Sequence, residues 1–199
     1  MQNVVKKSLR EVATITAGHP IRDAVRDLPG GEIAVVQIKN VDAETGVDWS
    51  AVARTHLTSR REPDWLKPGD VLFSARGGRN VAICMDQPPP KAVASPHFFL
   101  LRVRSSTPVL PEFLAWQMNL PSAQQYFAQS ATGSYIKSIR RSVLEDLTLL
   151  VPTLERQQLL VRLANAAHRE KQILERLIEN RRQELDLLAE ELLTRTKTA

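Results

Sequence analysis

After Pro152 the chain runs 47 residues to its end without a proline or a glycine. Proline removes a backbone donor and glycine costs backbone entropy, so a stretch free of both and rich in Leu, Glu, Arg, Gln and Ala is biased to helix throughout. Within it Leu160, Ala164, Ala167, Lys171, Leu174, Ile178, Arg181, Leu185, Leu188 and Leu192 recur at alternating spacings of four and three residues. Eight of those ten are apolar, the pattern of a coiled-coil seam. At 1.5 Å per residue, about 40 helical residues make a rod of roughly 60 Å, too long to bury its stripe against one small domain. Residues 153–199 are therefore expected to form a spacer or assembly arm. Leu160, Ala167, Leu174, Ile178, Leu185, Leu188 and Leu192 are the expected helix interface. Lys171 and Arg181 interrupt the seam and would fix register or orientation at a cost in stability. Leu163, Ile173 and Leu177 widen the apolar face, either for a third partner or to pack on the chain's own body.

Residues 1–152 are enough for one medium domain with its own core. No apolar run approaches the roughly 20 residues needed to cross a bilayer, so no membrane association is expected. The opening MQNVVKKSLREV lacks the apolar centre of a signal peptide. A lone Cys84 excludes an internal disulfide and a cysteine-built zinc site, and fits a reducing cytoplasm. The net charge of +5 lies mostly on the body, which holds 18 Lys and Arg against 14 Asp and Glu, where residues 153–199 hold 9 against 8. Much of this cation is clustered arginine: Arg60-Arg61, Arg76 and Arg79, Arg102 and Arg104, Arg140-Arg141. The guanidinium fork suits phosphate and guanine, although a basic solvated surface gives the same count.

The body reads as a mixture of strands and helices without βαβ alternation, which makes the expected fold class α+β. Ser8-Leu9-Arg10-Glu11 has the form of a capping box and predicts a short opening helix. VATITAG alternates into a strand ending at Gly18, and the β-branched residues 33–41 predict a buried strand. Residues 66–85 are the clearest hairpin, two apolar runs flanking Arg76-Gly77-Gly78-Arg79. HFFLLRVR predicts another strand, PEFLAWQMNL and SAQQYFAQSA two proline-led helices, and LTLLVP a final strand. No internal repeat is visible.

Catalytic patterns are missing from this reading. The four histidines are scattered, no Gly-x-Ser-x-Gly elbow or Walker loop occurs, and RGGRN lacks the Gly-Lys-Ser/Thr ending. Pro63-Asp64 resembles the start of a nuclease motif, but no Glu-x-Lys follows. Cys84, between Ile83 and Met85, reads as a small buried thiol. Two stretches do suit nucleic acid. The Arg76–Asn80 turn joins glycine's freedom to approach another backbone with long donors. GSYIKSIRRS offers hydroxyls and cations, with Ile136 and Ile139 as anchors. Each could equally be a surface hairpin tip or the start of a helix.

These segments resemble, in order, the specificity subunits of type I restriction–modification enzymes. The resemblance runs through KKSLREVATITAG, IAVVQIKNVD, WLKPGDVLFSARGGRNVAIC, SPHFFLLRV, LPEFLAWQMN and ATGSYIKSIRRSVLEDLTLLVPTLERQQLLVRL. The last two are the most specific, with a Gly-Ser loop, a strand ending in proline and a glutamine-containing helix start in fixed sequence. Where the family often has lysine after the hairpin glycines, this chain has Arg79. Family members carry two recognition domains and two helices, whereas this chain has one of each, which points to a half-size form. The resemblance implies a target recognition domain over 1–152 and a helix over 153–199 for dimerisation, spacing and methyltransferase docking. It further implies a subunit without catalysis or cofactor of its own, whose homodimer reads the two halves of an interrupted site in double-stranded DNA through antiparallel helix pairing. The methyltransferase subunit would bring S-adenosylmethionine, with a motor–nuclease subunit as a further partner. The expected DNA contacts are Lys39, Asn40, Arg76, Arg79, Asn80, Tyr135, Lys137 and Arg140. Two alternatives stay open at this point: a stand-alone dimeric DNA-binding regulator, and an adaptor whose basic body binds an acidic protein.

Overall fold

The apolar runs Val71–Phe73 and Phe98–Leu101 build a sheet that is buried on both faces. A computed structural model describes residues 4–21, 25–57, 62–77, 80–133 and 137–195. Strand β1 (Val5–Ser8) leads into the one-turn helix α1 (Leu9–Val12) and β2 (Ala13–Ala17). Then come β3 (Ile33–Val36), a 3-10 turn (Ile38–Asn40), and the two-residue strands β4 (Val41–Asp42), β5 (Gly46–Val47) and β6 (Arg54–Thr55). The middle of the chain forms β7 (Val71–Ser74), β8 (Ala82–Cys84), β9 (Ala92–Ala94) and β10 (Phe98–Val103). Helices α2 (Pro111–Met118), α3 (Pro121–Ser130) and α4 (Arg141–Glu145), strand β11 (Thr148–Val151) and the long helix α5 (Leu154–Arg195) complete it.

Four strands in the order β2-β10-β7-β8 form the central antiparallel sheet. Successive strand residues point to opposite faces. Val71, Phe73, Ala82 and Leu101 therefore enter one core with Leu9, Phe113, Leu114, Met118, Phe127, Leu144 and Leu149. Leu72, Ile83, Phe98 and Leu100 enter a second with Ala34, Val36, Leu66, Ala92 and Ala94. The second core is closed by the sheet β6-β3-β9, in which β3 and β9 run parallel. β1 pairs with β11, Val5 opposite Val151, and β4 with β5. The mixed class is α+β, as expected.

Three local expectations change. Strand β1 precedes the opening helix, whose capping box is present: the Glu11 carboxylate accepts from the Ser8 N–H at 2.7 Å and its hydroxyl at 2.6 Å. These bonds, the hydroxyl's first, hold Glu11 below the ordinary carboxylate range. The predicted strand 33–41 stops at Val36, because Asn40 competes with the ladder. Its Oδ1 accepts the Gln37 N–H at 3.0 Å and its Nδ2 donates to the Ala51 carbonyl at 2.8 Å.

The third change concerns the division of the chain. Its two compact units are Met1–Val161 and Arg162–Ala199, so the body takes the first eight residues of α5 rather than ending at 152. Gln157 is wholly buried there, and Leu160 and Val161 pack on the first core. Leu160, expected in the helix interface, thus belongs to the body. In the second unit Leu163, Ile173, Leu174, Leu177, Ile178, Leu185, Leu188 and Leu192 are all exposed. Ion pairs Lys171–Glu175 and Arg181–Glu184 lie along the same helix, each joining residues one turn apart. Among the described residues no helix is long and apolar enough to cross a membrane.

Candidate nucleic-acid interface

The two cationic stretches singled out in the sequence, 62 positions apart at the Arg76–Ser138 bridge, meet in the fold through backbone hydrogen bonds. Past β7, the Ala75 carbonyl accepts the Ile139 N–H at 2.8 Å, and Arg76 lies opposite Ser138 in an antiparallel bridge. Ser138 also exchanges both backbone bonds with Thr132, at 2.9 and 3.1 Å, closing the Gly-Ser loop on itself. Ile139 is buried in the first core and fixes that loop from below, as expected of it; Ile136 lies outside the described residues. Gly77 holds a φ of 110°, a backbone conformation that a side chain would strain, which lets the hairpin tip turn. Arg76, Lys137 and Arg140 are exposed here, and none has a carboxylate partner among the described residues. Arg79 and Tyr135 lie outside the described residues.

The asparagines differ in position. Asn80 is half-buried and donates its Nδ2 to the Ser74 carbonyl at 2.9 Å, while its own carbonyl accepts from Gln124 at 2.7 Å. It holds the base of the hairpin. Asn40 is only 3% exposed, with both amide atoms bonded internally, so it shapes the turn that presents the exposed Lys39. Nothing in the geometry brings Lys39 against the Arg76–Ser138 bridge.

Part of the clustered arginine is structural. Arg102 donates to Asp70 at 2.8 and 3.1 Å, to Asp64 at 2.6 Å and to the Trp65 carbonyl at 2.8 Å. The bonds to Asp70 raise its pKa first, against desolvation, and those to Asp64 add to the rise. This pairing explains the Leu-Lys-Pro-Gly-Asp motif: Gly69 turns the chain at a φ of 82°, and the buried Asp70 accepts the Lys67 N–H and then Arg102. It also gives Asp64 a structural place. Arg54 donates to the Gly31 and Glu32 carbonyls. Arg60 and Arg61 lie outside the described residues.

Sequence reasoning missed three amides. Asn119 bonds both ways with the backbone of Ala82, at 2.7 and 3.0 Å, acting as a substitute strand along the open edge of β8. Gln117 does the same for Leu150 of β11. Gln157 accepts from the Leu110 N–H at 2.9 Å and donates to the Pro108 and Pro152 carbonyls at 2.8 and 2.9 Å. The one available signal was a glutamine on the apolar side of the helix start; partners some 50 residues away were invisible.

Three solved structures share this architecture. A type I restriction–modification S subunit from M. genitalium is 15% identical with a TM-score of 0.60, matching 92% of this chain and 43% of that one. The HsdS subunit from Thermoanaerobacter tengcongensis is 18% identical with a TM-score of 0.58, matching 87% of this chain and 39% of that one. A structure addressing complex assembly and conformational transition of the type I R-M system is 18% identical with a TM-score of 0.63, matching 93% and 43%. The chain spans about two-fifths of the length of each. No family model matches the sequence, and no curated protein matches it. At such identities the likeness is one of fold: this chain has the fold of a type I S subunit over one mixed body and one long helix.

Proposed function

We propose that the chain is the DNA sequence-specificity subunit of a type I restriction–modification system. The observation that carries this reading is the bridge between Arg76 and Ser138, which gathers Arg76, Lys137 and Arg140 into one exposed cationic patch on this fold. The patch reads a DNA half-site: cations and backbone donors grip phosphates, while arginine and Asn80 reach base edges. Lys39, Arg79 and Tyr135 are further contacts in this proposal. The exposed stripe of α5, from Ala167 through Leu174, Ile178, Leu185 and Leu188 to Leu192, pairs antiparallel with a second copy. A twofold pair of identical readers recognises an interrupted palindrome whose gap follows the helix length. The paired helices receive the methyltransferase subunit, which brings S-adenosylmethionine, and a motor–nuclease subunit where the system has one.

Methylome sequencing of the host with and without the gene is the test. Loss of a bipartite methylated motif is the expected result. An unchanged methylome would sink the reading and leave the stand-alone regulator if DNA binding persists, or the adaptor if it does not. In vitro, Lys137→Ala should weaken binding to all duplexes and reduce the salt slope by about one unit. Leu174→Glu with Leu188→Glu should convert a sedimenting dimer to monomer.

A further inference from the structure

The expected DNA contacts leave one cationic feature of the body unused. A cleft of about 270 Å³ is lined by Arg10, Ile15, Thr16, Arg104, Arg141 and Glu145. Its three arginines come from separate stretches: α1, the residue after β10, and the first residue of α4. Arg10 is paired with Asp146, and Arg141 with Glu145 at 2.7 Å. Arg104 is different. It makes one long bond of 3.5 Å to the Arg10 carbonyl and has no carboxylate partner among the described residues. A guanidinium carries five N–H donors, so each of the three keeps several after these contacts. The cations exceed the two carboxylates by one, and that one is Arg104.

The floor of the cleft adds a backbone donor. β2 is an outer strand of its sheet. The Arg104 N–H bonds to the Val12 carbonyl and the Gly18 N–H to the Phe98 carbonyl, so alternation gives the β10 bonds to Thr14 and Thr16. The Ile15 N–H therefore lies on the open edge, where the cleft is. Clefts for drug-sized ligands run to roughly 300–1,000 Å³, so this one suits a small ion or a single group of a larger molecule. Forked donors converging with an excess cation suit an oxyanion, phosphate among them.

We propose that this cleft binds a phosphate group, with Arg104 as its principal ligand and Arg10 and Arg141 flanking it. The phosphate is either a phosphodiester of a nucleic-acid backbone, which rests on the DNA reading above, or free inorganic phosphate, which does not. The test titrates inorganic phosphate at constant ionic strength into the full chain, following the melting temperature, and in parallel measures affinity for unrelated duplexes across salt concentrations. Phosphate should raise the melting temperature of the wild type, with apparent affinity reduced about tenfold or more in Arg104→Ala. Glu145→Gln, which removes the carboxylate competing for Arg141, should bind phosphate more tightly, an effect that misfolding cannot imitate. If DNA supplies the phosphate, Arg104→Ala also weakens all duplexes alike and takes about one unit off the salt slope. Loss of phosphate stabilisation with DNA affinity unchanged supports the site with free phosphate as ligand. No stabilisation of the wild type up to tens of millimolar phosphate, with Arg104→Ala matching wild type on DNA, overturns the proposal. Should the chain bind no DNA at all, the function proposed above falls while the phosphate titration still decides this site.

Discussion

Gln157 is the residue whose replacement most sharply tests how α5 is rooted in the body. It is wholly buried, accepts the Leu110 N–H and donates to the Pro108 and Pro152 carbonyls, at 2.8–2.9 Å. Gln157→Leu keeps nearly the same volume but bonds to nothing, so the cost is that of stranded polar groups rather than of a cavity. A buried N–H left without a partner costs about 1–3 kcal/mol. The two carbonyls lose their donors as well, which brings the expected loss to about 3–4 kcal/mol. For a domain of this size each kcal/mol lowers the melting temperature by about 2–4 °C, so the transition should fall by roughly 6–16 °C. Urea unfolding followed by tryptophan fluorescence measures the loss directly, with the slope m expected to stay constant because the unfolding surface is unchanged. A loss below about 1 kcal/mol would refute the reasoning, since the three bonds would then contribute no more than one ordinary one.

Three other outcomes follow from the same contacts. Arg102→Met strands the buried Asp70 carboxylate and should cost about 2–4 kcal/mol in urea unfolding, below the loss for a fully buried pair because Arg102 is a third exposed; the double variant Arg102→Met/Asp70→Leu should recover part of it, and no recovery would argue against the pair. Glu11 is held below the usual carboxylate pKa by Ser8, so it adds stability above its unfolded value of about 4.3 and loses it as pH falls through the folded value. Ser8→Ala should therefore show less acid-side loss than wild type in a pH series of melting temperatures, and parallel curves would contradict that. Burial, aided by Glu112, Asp86 and Asp70, pushes the Cys84 thiol up to about 12; alkylation by iodoacetamide at about pH 8 should be slow in the native chain and fast in urea, and equal rates would count against the burial.

What could be read from the residues alone is what depends on near neighbours in the chain. The long helix follows from the absence of Pro and Gly after Pro152, and α2 and α3 each begin at the proline that marks them, Pro111 and Pro121. The capping box of Ser8 and Glu11 and the hairpin of β7 and β8 are likewise local. The stretches at Arg76 and at Lys137–Arg140 are recognisable in the sequence as cationic, but that they touch is not. Strands β1 and β9, of four and three residues, have no periodicity long enough to announce them; they exist because Val5 meets Val151 and Ala92 meets Ala34. The same reason separates arginines that look alike in sequence. Arg102 has Asp70 and Asp64 brought to it by the sheet and becomes part of the framework, while Arg104, two residues on, meets no carboxylate among the described residues and stays exposed. Whether a charge is a strut or a contact depends on which partner the chain folds back to supply, and that is decided only when distant segments meet.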